Sequence, residues 1–163
     1  MITSTSIAMT LLATVMLSNG HYYHGYGTAY SGPFRMDSTG QNMCEFNPAS
    51  LNPRWQVYYA AINGQDWSSA GGGSIVCGRC VEVVGVKGQT APGHHIKPVA
   101  VKIVDQCPAC NPGDLDFSSP ALSAITGYSW DRKMIKWKYV TCPTNPYIPI
   151  TLRFKHHRNR GKK

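Results

Sequence analysis

Several short runs of the chain alternate apolar and polar side chains with a period of two, the mark of half-buried strands. Val101, Ile103 and Val104 form one such run, which ends at Asp105. Cys77 to Val86 and Ile96 to Val104 read as neighbouring strands joined by the turn-rich stretch Lys87 to His95. Met134 to Thr141 and Ile148 to Phe154 alternate most strongly, and the first of them assigns Trp137 to the core. His21 to Gly32 interleaves aromatics with small residues and reads as an opening strand that runs into a turn. Helical spacing occurs twice. Trp55 to Asn63 follows the turn residues of Asn47 to Arg54 and predicts a short helix, and Ser118 to Tyr128 predicts another, with Leu122 and Ile125 inward and Gly127 as its stop. Between them, Gly64 to Ser74 with its three consecutive glycines is expected to be a flexible loop at a cleft rim. The pattern therefore predicts a mainly β domain of about five or six strands with one or two short helices, and closing such a sheet into a barrel would remove its exposed edges.

Candidate chemistry gathers in Val101 to Ser118. Asp105 stands at a strand's exit and is followed at once by the clip Cys107-Pro-Ala-Cys110; Asp116 stands just before Phe117-Ser118-Ser119-Pro120, a helix-start signature. The intervening turn Asn111-Pro-Gly-Asp114 can fold the chain back so that both carboxylates face one cleft. By themselves an acid at a strand end and an acid before a helix are ordinary capping residues. Two cofactor readings fail on motif grounds. No Gly-Lys-Ser/Thr follows the glycine run, and Gly25-x-Gly27 lacks the rest of a dinucleotide fingerprint.

Met1 to Gly20 contains no Lys, Arg, Asp or Glu, has an apolar core from Ile7 to Leu17, and ends in small or polar residues. It reads as a signal peptide, with the mature domain over residues 21–154 and a basic tail over 155–163, so the expected location is extracellular. Six cysteines (Cys44, Cys77, Cys80, Cys107, Cys110 and Cys142) in a short exported chain point to a disulfide framework rather than zinc, and spacing alone leaves the connectivity open. Sixteen Lys and Arg against eight acids give a net charge of +8, and six of the basic residues crowd into Arg153 to Lys163. A tail of this kind attracts polyanions; outside the cell these are acidic polysaccharides, and no nucleic-acid motif accompanies it. A terminal His21 with His24 nearby is a weighed but unfavoured copper site, and the expectation is no metal and no cofactor.

A resemblance covers the whole of the expected mature chain. Gly25-Tyr-Gly-Thr28-x-Tyr30-x-Gly32, Cys77-Gly-Arg-Cys80, Val104-Asp105-x-Cys-Pro-x-Cys110, Leu115-Asp116-Phe-Ser118 and Ile135-Lys-Trp-Lys-Tyr-Val-Thr-Cys142-Pro143 occur in the order seen in the first domain of expansins. The chain resembles a single-domain expansin-like protein of the loosenin type. It is similar also to the related barrel endoglucanases, to plant natriuretic-peptide-like proteins and to a papain-inhibitor family. The resemblance implies a six-stranded double-psi β-barrel, disulfide-stabilised through Cys44 to Cys77, Cys80 to Cys142 and Cys107 to Cys110. It implies a shallow polysaccharide groove floored by Thr28, Asp105 and Asp116 with Tyr30 near its edge, Asp116 matching the acid on which wall loosening depends. Cys107 stands where bacterial expansins carry a Tyr, and the short stretch after Cys142 is expected to complete the barrel rather than to start a cellulose-binding domain.

Function then turns on carboxylates. Inverting glycoside hydrolysis needs an acid and an opposing base, and the opening strand, where the barrel endoglucanases carry the base, holds Thr28 and no Asp or Glu. The expectation is a secreted monomer that binds cell-wall polysaccharide (cellulose, chitin or acidic wall glycan) and loosens it without cutting, with Tyr30, Trp67 and Trp130 as sugar-facing aromatics. Asp105 is expected to raise the Asp116 pKa by like-charge repulsion together with burial. Two alternatives stand beside it. One is an endoglucanase or lytic enzyme with Asp116 as acid; the other is an extracellular effector or cysteine-protease inhibitor acting through barrel loops.

Overall fold

The computed structural model describes residues 21–144. The signal-peptide reading, the strand expected over Ile148 to Phe154 and the basic tail lie outside the described residues. Six strands close into a ring in the order β1-β5-β2-β4-β3-β6: β1 Tyr23–Ser31, β2 Tyr59–Asn63, β3 Cys80–Gly85, β4 Val99–Cys107, β5 Leu115–Ser118 and β6 Lys133–Val140. The β1–β5 and β2–β4 pairs are parallel and the other four antiparallel. Because β6 hydrogen-bonds β1 directly, the ring is complete by Val140 and closure needs nothing after Cys142.

The barrel interior is filled by alternate residues of each strand, among them Val81, Val83, Val101, Ile103, Leu115, Phe117, Ile135 and Trp137, and is capped by Leu122 and Ile125 of α3 (Ser119–Thr126). Trp137 is fully buried, stacked on Tyr23 at 4.2 Å, with its indole N–H donating to the Gly113 carbonyl at 2.8 Å. Helix α3 begins and ends as its residues dictate: the Ser118 side chain accepts from the Ala121 N–H, Pro120 stands in the first turn, and Gly127 takes the left-handed cap at φ 82°.

The middle of the chain differs from its sequence pattern. Tyr59 to Asn63 is a strand, and the helix expected from Trp55 to Asn63 is absent; every residue of β2 is buried, so it lacks the alternation that announces a half-exposed strand. Gly64 to Ser74 is correspondingly not a flexible loop. It carries α1 (Gly64–Ser69) and leads into α2 (Gly73–Val76), which makes three short α-helices where one or two were expected. The start of α1 had a legible signal, since the Asn63 side chain accepts from the Asp66 N–H at 2.8 Å.

All six cysteines are bridged, as Cys44–Cys77, Cys80–Cys142 and Cys107–Cys110, which excludes the zinc reading of the two CxxC pairs. The first two bridges staple strands and loops far apart in sequence. The third closes only its own turn. No helix among the described residues is long and apolar enough to cross a membrane.

Candidate functional site

A second, smaller core lies on the outer side of the wall formed by β1, β5, β2 and β4. Met36, Tyr59 and Val104 are buried there with Tyr30, Phe46 and Leu51 packed around them. It seats the long connection between β1 and β2 against the barrel. Beside it the wall is open, and a depression of about 200 Å³ is lined by Tyr30, Thr39, Ala61, Asp105, Gln106, Cys107, Pro108 and Asp116.

Strand register explains why the two acids meet. Thr28 of β1 pairs with Asp116 of β5, Asp116 pairs with Ala61 of β2, and Ala61 pairs with Asp105 of β4. The four residues form one row across the wall, with the alanine between the acids, and its small side chain leaves the space that deepens the depression. An irregularity sets the last step: Ala60 pairs with Ile103 but Ala61 pairs with Asp105, so Val104 is skipped. Such a bulge re-aims a side chain, and here Val104 enters the outer core while Asp105 faces the depression.

The turn before β5 is held by close backbone packing. Gly113, at φ 81°, lies so near the His24 carbonyl that a Cβ would collide with it, and a Cβ on Gly25 would collide with Gly113 in turn. The Asp114 carboxylate accepts from the Tyr26 N–H at 2.7 Å and from Arg132 at 3.3 Å, and Asp66 accepts from the Gly113 N–H at 2.9 Å. Asp116 follows two residues later on a strand whose start is thus fastened at several points.

The acids live in different surroundings. Asp105 is 8% exposed, and its Oδ1 accepts from the backbone N–H groups of Met43 at 2.9 Å and Gln106 at 2.8 Å. It ties the β1–β2 connection to the barrel. Asp116 accepts a 2.6 Å hydrogen bond from the Thr28 hydroxyl. Burial pushes its carboxyl above the usual carboxylate range, and the Thr28 hydrogen bond pulls it partly back. Of the two expected causes, burial accounts for the rise, and repulsion from Asp105 is not among them. Burial, then Tyr59 and the two acids, push the Tyr30 hydroxyl well above the ordinary tyrosine value, and the Ser31 side chain pulls it partly back.

Of the residues singled out from sequence, Asp105, Asp116 and Tyr30 line the depression, and Thr28 reaches it through Asp116. Trp67 is not among the lining residues; it lies in α1, half-buried against the main core, where a loop position had been expected. Trp130 is 62% exposed in the connection from α3 to β6 and also does not line the depression. Thr39, Ala61, Gln106 and Pro108 had not been singled out, because an alanine in a buried strand carries no signal of its register partners. Among the described residues, metal-type donors come together in one group of three, Cys107, Cys110 and Asp116, and its two sulfurs are joined to each other.

The fold is a disulfide-stabilised six-stranded barrel of the double-psi kind, and the chain shares it with a solved GH45 endoglucanase. No known family model matches the sequence, and no curated protein matches it. Among solved structures, the chain is similar to the GH45 endoglucanase EG27II in complex with cellobiose, at 18% identity over 74% of this chain and 81% of that one, with a TM-score of 0.50. It is similar to the apo expansin of Clavibacter michiganensis at 23% identity over 77% of this chain, TM-score 0.48, and it spans 53% of that protein's length. A Streptomyces papain inhibitor matches at 21% identity over 74% of this chain and 96% of its own, TM-score 0.49.

Proposed function

We propose that this is a secreted protein that binds cell-wall polysaccharide in the depression between Asp105 and Asp116 and loosens it without hydrolysis. The observation that carries the reading is the contrast between the acids. Asp105 is largely enclosed and engaged with two backbone N–H groups, whereas Asp116 is half-buried, with its carboxyl raised above the usual range by burial, and open to the depression. A protonatable carboxyl beside a hydroxyl can exchange hydrogen bonds with sugar hydroxyls and so compete with those between glycan chains. Strand β1, which faces Asp116 across the pairing row, holds Thr28 and no acid to serve as an opposed base.

A second reading has its own support. Asp105 and Asp116 stand two strands apart, roughly 10 Å between backbones at ordinary strand spacing, and both of the Asp105 hydrogen bonds go to Oδ1, leaving Oδ2 able to accept from a water. An inverting pair needs its two carboxyls about 6.5–9.5 Å apart, with room for a water at the base. One experiment separates the two. The purified protein and its Asp116→Asn variant are incubated with insoluble cellulose, chitin and whole wall at low and high salt, and bound protein and reducing ends are measured in the same tubes. Binding without new reducing ends supports loosening; soluble product that disappears in the variant establishes hydrolysis. Absence of binding to every glycan, with inhibition of a cysteine protease, would sink both in favour of an inhibitor.

A further inference from the structure

The bridge Cys107–Cys110 differs in kind from the other two. Both of its cysteines are half-buried, as are Cys44 and Cys77, but here Cys107 lines the depression and Pro108 and Ala109 between the pair are exposed. Its sulfurs and a carboxylate oxygen of Asp116 all lie within 4.8 Å of one another. The sequence separation is 3, against 33 for Cys44–Cys77 and 62 for Cys80–Cys142, and Cys80 is fully buried.

Linkage turns these separations into an order of reactivity. A bridge that constrains the unfolded chain strongly is stabilised in return by the fold, and that effect grows with the length of chain enclosed. The two long-range bridges share fully in it. A bridge enclosing two residues scarcely does, so folding offers it little protection, and its position at an open edge admits an attacking thiolate. The Lys102 ammonium, 3.6 Å from Cys142 Sγ, would favour Cys142 as a leaving group, but its bridge partner Cys80 is inaccessible.

We propose that Cys107–Cys110 is a site of thiol–disulfide exchange with small dithiols, at which the Asp116 carboxyl gives a proton to the departing sulfur. A dithiol's thiolate attacks one sulfur of the pair, the S–S bond breaks, and the other sulfur leaves with the electron pair and takes the proton. The second thiol of the dithiol then displaces the mixed disulfide. The protein gains two electrons and two protons in all, and the dithiol becomes a cyclic disulfide. Asp116 recovers its proton from solvent. When ionised it has no proton to give and repels both the attacking and the departing thiolate. Tyr30 and Asp105 are the other titratable side chains facing this depression, Thr28 donates to Asp116, and no Lys, Arg or His is among its described lining residues. Since Cys107 and Pro108 form one side of the depression, reduction also frees that side to move.

The test uses the intact chain with all three bridges formed and involves no glycan. It is pulsed with dithiothreitol, trapped with N-ethylmaleimide, and the labelled cysteines are mapped by mass spectrometry. Cys107 and Cys110 are expected to be labelled about tenfold faster than the other four. Simultaneous opening of all three bridges, or earlier opening of either long-range one, overturns the proposal. In a pH series, the rate per unit of dithiol thiolate should fall as Asp116 ionises in the wild type and stay level in Asp116→Asn. Matching profiles would remove the carboxyl from the step.

Discussion

Asp105 and Asp116 lie in one row of one barrel wall and face one depression, yet the fold treats them as different residues. The side that holds Asp105 is a joint: its Oδ1 takes two backbone N–H groups, one from the β1–β2 connection, and only 8% of the residue is exposed. The side that holds Asp116 is open, with one hydroxyl partner, a disulfide alongside, and a carboxyl driven towards its neutral form by burial. The lesson is that shared position in a sheet does not confer shared chemistry. A carboxylate whose lone pairs are met by backbone donors is held in place, whereas one that is desolvated without such donors is pushed towards its neutral form.

This contrast can be attacked at its foundation first. Gly113→Ala places a Cβ against the His24 carbonyl at a φ of 81°, so the turn that delivers Asp116 must be displaced. A loss of about 3 kcal/mol or more is expected in denaturant unfolding; a near-neutral change would mean that the close approach does not position β5. Next, Asp105→Ala leaves the Met43 and Gln106 N–H groups without their acceptor and should cost about 2 to 3 kcal/mol. If stability is unchanged and only glycan binding is lost, Asp105 acts on the ligand as Asp116 does and is not a structural joint.

Asp116→Asn should act in the opposite sense and more weakly. The folded-state pKa of Asp116 lies above its unfolded value near 3.8, so between the two the folded protein binds more protons and stability falls as pH rises. The variant should lack that decline and be slightly more stable at neutral pH, by less than about 1 kcal/mol given the solvent screening of a part-exposed group. Thermal unfolding from pH 3 to 8 reads this as a flattened slope; a steeper one contradicts the direction of the shift. Smallest of all, Thr28→Val removes the hydroxyl that stabilises the ionised form, so the Asp116 carboxyl should titrate still higher in an NMR titration. A downward move would show that Thr28 favours the neutral acid.

Legibility followed exposure. β3, β4 and β6 alternate because each has one face in the core and one in water, and α3 announced itself through Ser118, Pro120 and Gly127. β2 does not alternate, since the outer core covers the face that would otherwise be polar, and its apolar run reads locally as a helix. Asp105, Asp116, Tyr30 and Thr28 stood out through type and motif spacing. Ala61, which separates the acids, and the Met43 N–H, which occupies one of them, did not, because neither carries a chemical signature. Trp67 stood out as an exposed aromatic and proved to be a core-packing residue of a helix.

The sequence by itself determined the strand periodicity, the helix cap, the set of cysteines and the two acids, because each depends on a residue and its near neighbours along the chain. Tertiary structure alone decided that Ala61 lies between the acids, that a skipped Val104 turns Asp105 towards the depression, and that Asp116 rather than Asp105 is left without backbone donors. Strand register and desolvation arise from segments distant in the chain closing on one another, and no local pattern encodes them.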